Sequence, residues 1–511
     1  MKLSDLQDIR LEKARALRDQ GTNPWPNRAQ RTHTNSEALA RFETAQAADD
    51  QTFVEPVTLV GRIASLRHMG KTLFAHIEDG HGRIQLYIRK DAIGDDVYAD
   101  ILKLYDLGDF IQASGSLFRT RTGEISLRVT QITMLSKTIN APPEKWHGLQ
   151  DVEIRYRQRY LDLLSNEEVR RIFRVRARII TAIRAFLDQR DYLEVETPTL
   201  QPLYGGAAAR PFTTHHHALD QELYLRIADE LYLKRLLVGG YERVYEICKD
   251  FRNEGIDRNH SPEFTMLEFY EAYADYESMM DTVEALIVSV TTTAHGGPRF
   301  TFQDQEIDVT PPWPRKTLRD AIRDKSGIDY ADHPEQADLL RVAREAGADI
   351  EEGTVWPRIV DELLKQFVRP TLVQPTFLID YPVELSPLAK RKTDDPTHVE
   401  RFQPYLGGGE IGNSFTELND PMDQLARFED QQKDRDAGDE EAMPIDIDYV
   451  TALMYGMPPT GGVGIGIDRL VMLLADQPTL RDVILFPAMR RLPTDDGQPG
   501  VEGTAKASSE P

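Results

Sequence analysis

From residue 264 to 270 the chain reads FTMLEFY, which places Phe264, Met266, Glu268 and Tyr270 at every second position. Successive side chains of a strand point to opposite faces, so this spacing predicts one face carrying an aromatic ring, a carboxylate and a phenol side by side. A carboxylate is costly to bury against apolar neighbours unless it is paired. Thr265, Leu267 and Phe269 suit the opposite, packed face, and Glu268 is therefore expected to point into a polar cavity built on a sheet. Just upstream, FRNEG at 251–255 sets Arg252 and Glu254 ahead of a turn-forming loop.

Two further segments add to this cavity. PYLGGGEIGNSFTELND contains a second alternating set, Asn413, Phe415 and Glu417, whose amide, ring and carboxylate suit a pocket lining. The glycines around it leave room for a ligand to approach the backbone. Read alone, this segment fits a glycine-kinked edge strand equally well. GGVGIGIDR, ending at Arg469, is not a dinucleotide fingerprint, because the third glycine position holds Ile467. No GxxxxGK[ST] phosphate loop occurs in the chain. If a nucleotide binds, arginine forks must hold its phosphates, and Arg252 and Arg469 are the candidates.

At 511 residues the chain is too long for one ordinary core. Residues 1–50 read as helical, with a Gly/Pro break at GTNPWPN. Residues 51–139 alternate as about five short strands, which suggests a small closed barrel of the OB type. A Pro-bearing linker at 140–152 follows. Residues 153–491 mix helices and strands as an α+β catalytic domain, with a helical insertion near 317–366. The Gly/Pro-rich tail at 492–511 is expected to be disordered.

The net charge of −23 argues against a protein that coats nucleic acid, but not against a local basic groove. Arg155, Arg157, Arg159, Arg170, Arg171, Arg174, Arg176 and Arg178 crowd one stretch, and a solvated helix face is favoured over phosphate contact. The single Cys248 excludes a disulfide framework and points to a reducing, cytoplasmic setting. No apolar run is long enough to span a bilayer, so no membrane partner is expected. Adjacent His215, His216 and His217 point alternately on an extended chain, which disfavours a metal site there.

Taken together, these segments resemble the class II aminoacyl-tRNA synthetases, and among them the bacterial lysyl branch. FLDQRDYLEVETPTL is similar to the family's motif 1, FRNEG with HSPEFTMLEFY to motif 2, and GGVGIGIDR to motif 3. RYRQRYLDLL, GGAAARPF, LYLRIADELYLKRL and PVELSPLAK extend the likeness over nearly the whole chain except the tail. The resemblance implies an N-terminal OB-type barrel that binds an anticodon. It also implies a catalytic antiparallel sheet flanked by helices, and a homodimer formed through motif 1. The implied reaction joins lysine and ATP to lysyl-adenylate, then passes the lysyl group to tRNA(Lys).

By the same resemblance, Arg252 meets the α-phosphate and the substrate carboxylate, while Arg469 and His260 hold the distal phosphates. Phe264 stacks on adenine, Glu254 contacts the nucleotide near the base, and Glu410 ligates Mg²⁺, a hard cation that prefers oxygen. Glu268, Tyr270 and Glu417 offset the desolvation of the substrate ammonium. Glu230 and Gly206 take the α-amino group and Asn413 assists the carboxylate. Phe74 and Gln85 read the anticodon by stacking and edge contact. Gln403 stands where the family carries a second metal-binding Glu, and Ser261 where it carries Asn. The rivals are an aspartyl- or asparaginyl-type enzyme on the same fold, a lysyl-transferring paralogue and a catalytically silent tRNA-binding protein.

Overall fold

The computed structural model describes residues 3–47, 56–143, 149–436, 438 and 441–491. The tail at 492–511 and the centre of the expected linker, 144–148, lie outside the described residues. The chain divides into two compact units, Met1–Gly148 and Leu149–Pro511.

The first unit opens with α1 (Asp5–Asp19), started by a capping box in which Ser4 and Gln7 exchange side-chain and backbone hydrogen bonds. It continues with α2 (Asn35–Ala47). Five strands follow: β1 (Val57–Met69), β2 (Thr72–Glu78), β3 (Arg83–Arg89), β4 (Phe110–Arg119) and β5 (Ile125–Ser136). Their pairing order β1-β2-β3-β5-β4 returns from β4 to β1. The inward positions Leu59, Ile77, Leu86, Ile111 and Leu127 are fully enclosed, so the period of two read from sequence is the period of burial. The alternate residues, Phe74 and Gln85 among them, face outward.

The second unit is built on one large sheet. Its strands run in the order Arg315–Thr317, Thr376–Pro382, His398–Leu406, Gly412–Thr416, Thr460–Gly466, Glu263–Ala272, Arg243–Phe251 and Leu193–Glu194, with Gly409–Glu410 paired to His398–Leu406. The pairings around Glu263–Ala272 are antiparallel. One face is covered by the long helices Glu167–Asp188 and Tyr276–His295. Their Ile179, Ile183, Leu286 and Ile287 pack with Leu267, Phe269, Val463 and Ile465 of the sheet. The helices Leu318–Ser326, Gln336–Glu345 and Trp356–Leu363 gather around a separate core with Leu378, Val399 and Tyr405.

The arginine-rich stretch is paired with carboxylates. Arg157 reaches Glu153 at 2.7 Å, Arg171 reaches Glu168 at 2.8 Å, and Arg170 and Arg174 both meet Glu167. Arg176 crosses to Asp468 at 2.6 Å and also donates to Thr265, which ties the long helix to the back of the sheet.

Candidate active site

The uncovered face of the sheet forms one wall of a cavity of about 400 Å³. Phe264, Met266, Glu268 and Tyr270 all line it, as their spacing required, while Leu267 and Phe269 lie in the core behind. Gly206, Glu230, Arg252, Glu254, His260, Glu410, Asn413, Phe415 and Arg469 are also on its walls.

One end of the cavity is cationic. The Arg252 guanidinium lies over the Phe264 ring at 5.1 Å, with its Nε donating to the Ile227 carbonyl at 3.4 Å. Arg469 Nη1 donates to the backbone oxygen of Glu410 at 3.1 Å, which anchors the guanidinium to that segment of the wall. His260 is exposed and bonds Asp257 at 2.7 Å, and Glu254 sits on the same exposed loop. Arg401, which sequence reasoning missed, also lines the cavity and donates to Asn413 Oδ1 at 2.8 Å. Its signal was present: Arg401, Gln403 and Tyr405 alternate along one strand, and the first two reach the cavity.

Gln403 Oε1 accepts from the hydroxyls of Tyr381 at 2.6 Å and Tyr405 at 2.9 Å. Both lone-pair directions of that oxygen are thereby used, and the remaining amide nitrogen is a donor that cannot ligate a cation. Glu410 is thus the carboxylate on this part of the wall. One carboxylate together with phosphate oxygens is a donor set that suits Mg²⁺, which retains much of its water.

The other end is anionic. Glu268 is 5 % exposed and accepts from the Tyr270 hydroxyl at 2.8 Å. Burial, reinforced by Asp229, Glu230 and Asp250, holds its carboxyl well above the usual range. Gly206 adopts φ +88°, and a side chain there would press on Ala228 and Glu230.

Glu230 and Glu417 are already engaged by a lysine of the chain itself. Lys234 Nζ contacts Glu230 Oε1 at 2.5 Å and is also ion-paired with Glu417. Burial alone would lower this lysine, but Glu230 and Glu417 outweigh it and keep the ammonium charged. Glu417 was expected on the pocket wall with Asn413 and Phe415. Glu417 keeps the extended course of that strand, its N–H donating to the Thr460 carbonyl at 2.8 Å, and its side chain is fully enclosed by its neighbours. Gly462 lies across from Tyr270 and Phe415, and a Cβ there would come within 2.0 Å of Glu417 Oε1 and 2.4 Å of Tyr270 Cε1, so the Glu417 carboxylate sits beside the Tyr270 ring on the cavity side of the sheet. Lys234 was legible as the i+4 partner of Glu230 on one helix, but it was not singled out.

Cys248 is buried, as a packed small residue would be. Its surroundings are polar, with Sγ donating to Asp250 at 3.6 Å, and burial with nearby carboxylates pushes the thiol up. His215, His216 and His217 lie on an exposed strand, where His215 meets Asp220 at 3.1 Å. They belong to none of the cation-sized clusters found among the described residues.

On the barrel, Phe74 stands opposite Tyr87, ring to ring at 5.3 Å, and Tyr87 meets Phe118 at 5.4 Å. Arg128 lies over Phe118 at 4.8 Å. Gln85 is cross-strand from His76. Its amide donates to Glu124 at 2.6 Å and accepts from Ser126 at 2.8 Å. Tyr87, Phe118 and Arg128 extend the outward aromatic row beyond the two residues expected from sequence.

Residues 151–490 match the family model described as tRNA synthetases class II (D, K and N). The chain belongs to the class II tRNA synthetases. In this synthetase, residues 57–135 also match the model of an OB-fold nucleic acid binding domain. The synthetase is 55% identical to a lysine-tRNA ligase of Roseiflexus castenholzii over 96% of its own chain and 99% of that relative. It is 54% identical to the lysine-tRNA ligase of Chloroflexus aurantiacus over the same shares, and 52% identical to that of Moorella thermoacetica over 95% and 98%. Among the described residues of the synthetase, no helix is long and apolar enough to cross a membrane.

Proposed function

We propose that the protein is a lysine-tRNA ligase, which activates lysine with ATP and transfers it to the 3′ end of tRNA(Lys). The observation that carries this reading is the charged lining of a single cavity. Arg252 and Arg469 line it together with Glu268, Tyr270 and Glu230, and Arg401 acts on Glu230. A cationic side chain is the occupant that Glu268 and its acidic neighbours can compensate. An aspartyl- or asparaginyl-type substrate would place an anion or an amide against Glu268.

In the first step, the lysine carboxylate oxygen attacks the α-phosphorus and the bond to the β-phosphate oxygen breaks, releasing pyrophosphate. A terminal ribose hydroxyl of the tRNA then attacks the carbonyl carbon, losing its proton as AMP departs. Two anions must meet in the first step, so positioning and charge neutralisation provide most of the rate. Arg252 would bridge the α-phosphate and the carboxylate. Arg469 and His260 would hold the distal phosphates, Phe264 would stack on adenine, and Glu254 would contact the nucleotide near the base. Glu410 would hold Mg²⁺, whose bound form neutralises phosphate charge. Glu268, Tyr270 and Glu417 would receive the side-chain ammonium, with Lys234 holding Glu417 in place. Glu230 and Gly206 would take the α-amino group and Asn413 the carboxylate.

On the barrel, Phe74 and Gln85 would meet the anticodon. The exposed Leu193 and Leu200 of the motif 1 segment support a homodimer. The cytoplasm is the compartment that fits a single unpaired cysteine. Amino-acid-dependent ATP–pyrophosphate exchange tests the reading. Exchange with lysine, and not with aspartate or asparagine, is the expected result. Exchange with either rival alone, or with none of the three, overturns it.

A further inference from the structure

Behind Glu268 lies a group of carboxylates that the reaction above does not use. Asp229 stands at the N-cap of the helix Glu230–Val238, yet its side chain makes no cap hydrogen bond. It is fully buried, and neither of its oxygens has a hydrogen-bond partner. Oxygens of Asp229, Asp250 and Glu268 lie within 4.8 Å of one another, and Asp229 is equally close to Glu246 and Cys248. The ladder explains the convergence: Glu246, Cys248 and Asp250 alternate along one strand, and Glu246 sits directly across from Glu268.

The cations nearby are already committed. Arg226 bonds Glu246 at 2.7 Å and reaches Asp250 at 3.5 Å, and Arg252 acts on Asp250 from the cavity side. Lys234 is held by Glu230 and Glu417. The remaining groups facing the pair are acidic or neutral: Tyr270, which donates to Glu268, and the Cys248 thiol. Asp229 and Glu268 are left without a cation of their own. Two buried like charges at this distance do not both persist.

We propose that Asp229 is a positioning residue for the ammonium pocket: it and Glu268 share one proton while the pocket is empty, and an incoming substrate ammonium displaces that proton to solvent. The charge balances, because one positive charge enters as one leaves. The direction agrees with burial, which raises both carboxyls well above the usual range. The exchange leaves the pair with one negative charge at rest and adds the second only when a cation arrives, so that second charge needs no permanent counter-ion. This inference rests on lysine being the substrate.

Calorimetric titration of the full-length protein with lysine, at pH 6.5 and 7.5 in phosphate and in Tris, reads the protons released. The wild type is expected to release close to one proton, with lysine affinity rising up to about 10-fold per pH unit. Asp229→Asn removes the sharing partner and is expected to bind lysine with little proton release and a flat pH profile. Wild-type binding without proton release overturns the inference while leaving the lysine reading intact. Absence of any lysine binding overturns both. A stoichiometric divalent ion in the purified wild type that is missing from Asp229→Asn, measured by elemental analysis, overturns proton sharing in favour of a metal site.

Discussion

Lys234 contacts Glu230 over 2.5 Å within the helix Glu230–Val238, and its ammonium has no exposure to solvent. The same ammonium neutralises Glu417 at the end of a neighbouring strand. One buried cation thus serves two carboxylates that come from distant parts of the chain. The charge at the anionic end of the cavity is set by three residues acting together.

Removing the cation should therefore cost stability. Lys234→Met would strand two buried carboxylates, with a loss of about 3–5 kcal/mol. Urea melts compare it with the wild type, and adding Glu417→Gln should restore part of the loss. A single variant within about 1 kcal/mol of wild type would show that the pair carries no structural weight.

Gly462 is the second point of leverage. A methyl group there would meet Glu417 and Tyr270, two packed side chains with little freedom to move. Gly462→Ala is expected to cost about 1–3 kcal/mol and to raise the lysine KM roughly 10-fold or more. Gly464→Ala is the control, because its Cβ would approach Met266 Cε, a flexible end, no closer than 3.2 Å. Equal effects at the two positions would refute the steric account.

Asp250 makes stability depend on pH. Burial pushes its carboxyl from 3.8 up to about 6. A raised acid binds a proton in the folded state that the unfolded chain has already lost, so its contribution falls as pH climbs from about 4 to about 6. Against Asp250→Asn, which cannot titrate, the wild type should lose up to about 1.4 kcal/mol per pH unit across that window and remain level above it. Denaturant melts at pH 4.5, 6 and 8 would decide the matter. A difference that does not change with pH would remove Asp250 from the linkage.

The barrel row allows anticodon contact to be separated from adenylation. Phe74→Ala, and equally Tyr87→Ala beside it, should weaken tRNA charging through a loss of about 1–3 kcal/mol of stacking. Pyrophosphate exchange should be unchanged. Parallel losses in both assays would place the damage in folding and not in recognition.

The wall of the cavity could be read from sequence because a strand has a period of two. Phe264, Met266, Glu268 and Tyr270 needed no information beyond their own spacing. Phe74 and Gln85 were reached through the family resemblance, and strand alternation in the structure turns both outward. What the spacing could not supply was a partner from another element. Asn413, Phe415 and Glu417 alternate in sequence, but nothing in that row shows that Glu417 meets the buried Lys234 of a distant helix. Asp229 was hidden for a related reason. Its neighbours Glu246, Asp250 and Glu268 come from two strands, and only the ladder register brings their oxygens together.

Gln403 gives its oxygen to two tyrosines and presents an uncharged group where a carboxylate would have added a negative one. A polyphosphate that arrives stripped of its counter-ion meets one fewer repulsive centre on that wall. An acid at this position would add repulsion for the phosphates and a ligand for a cation at the same point of the wall.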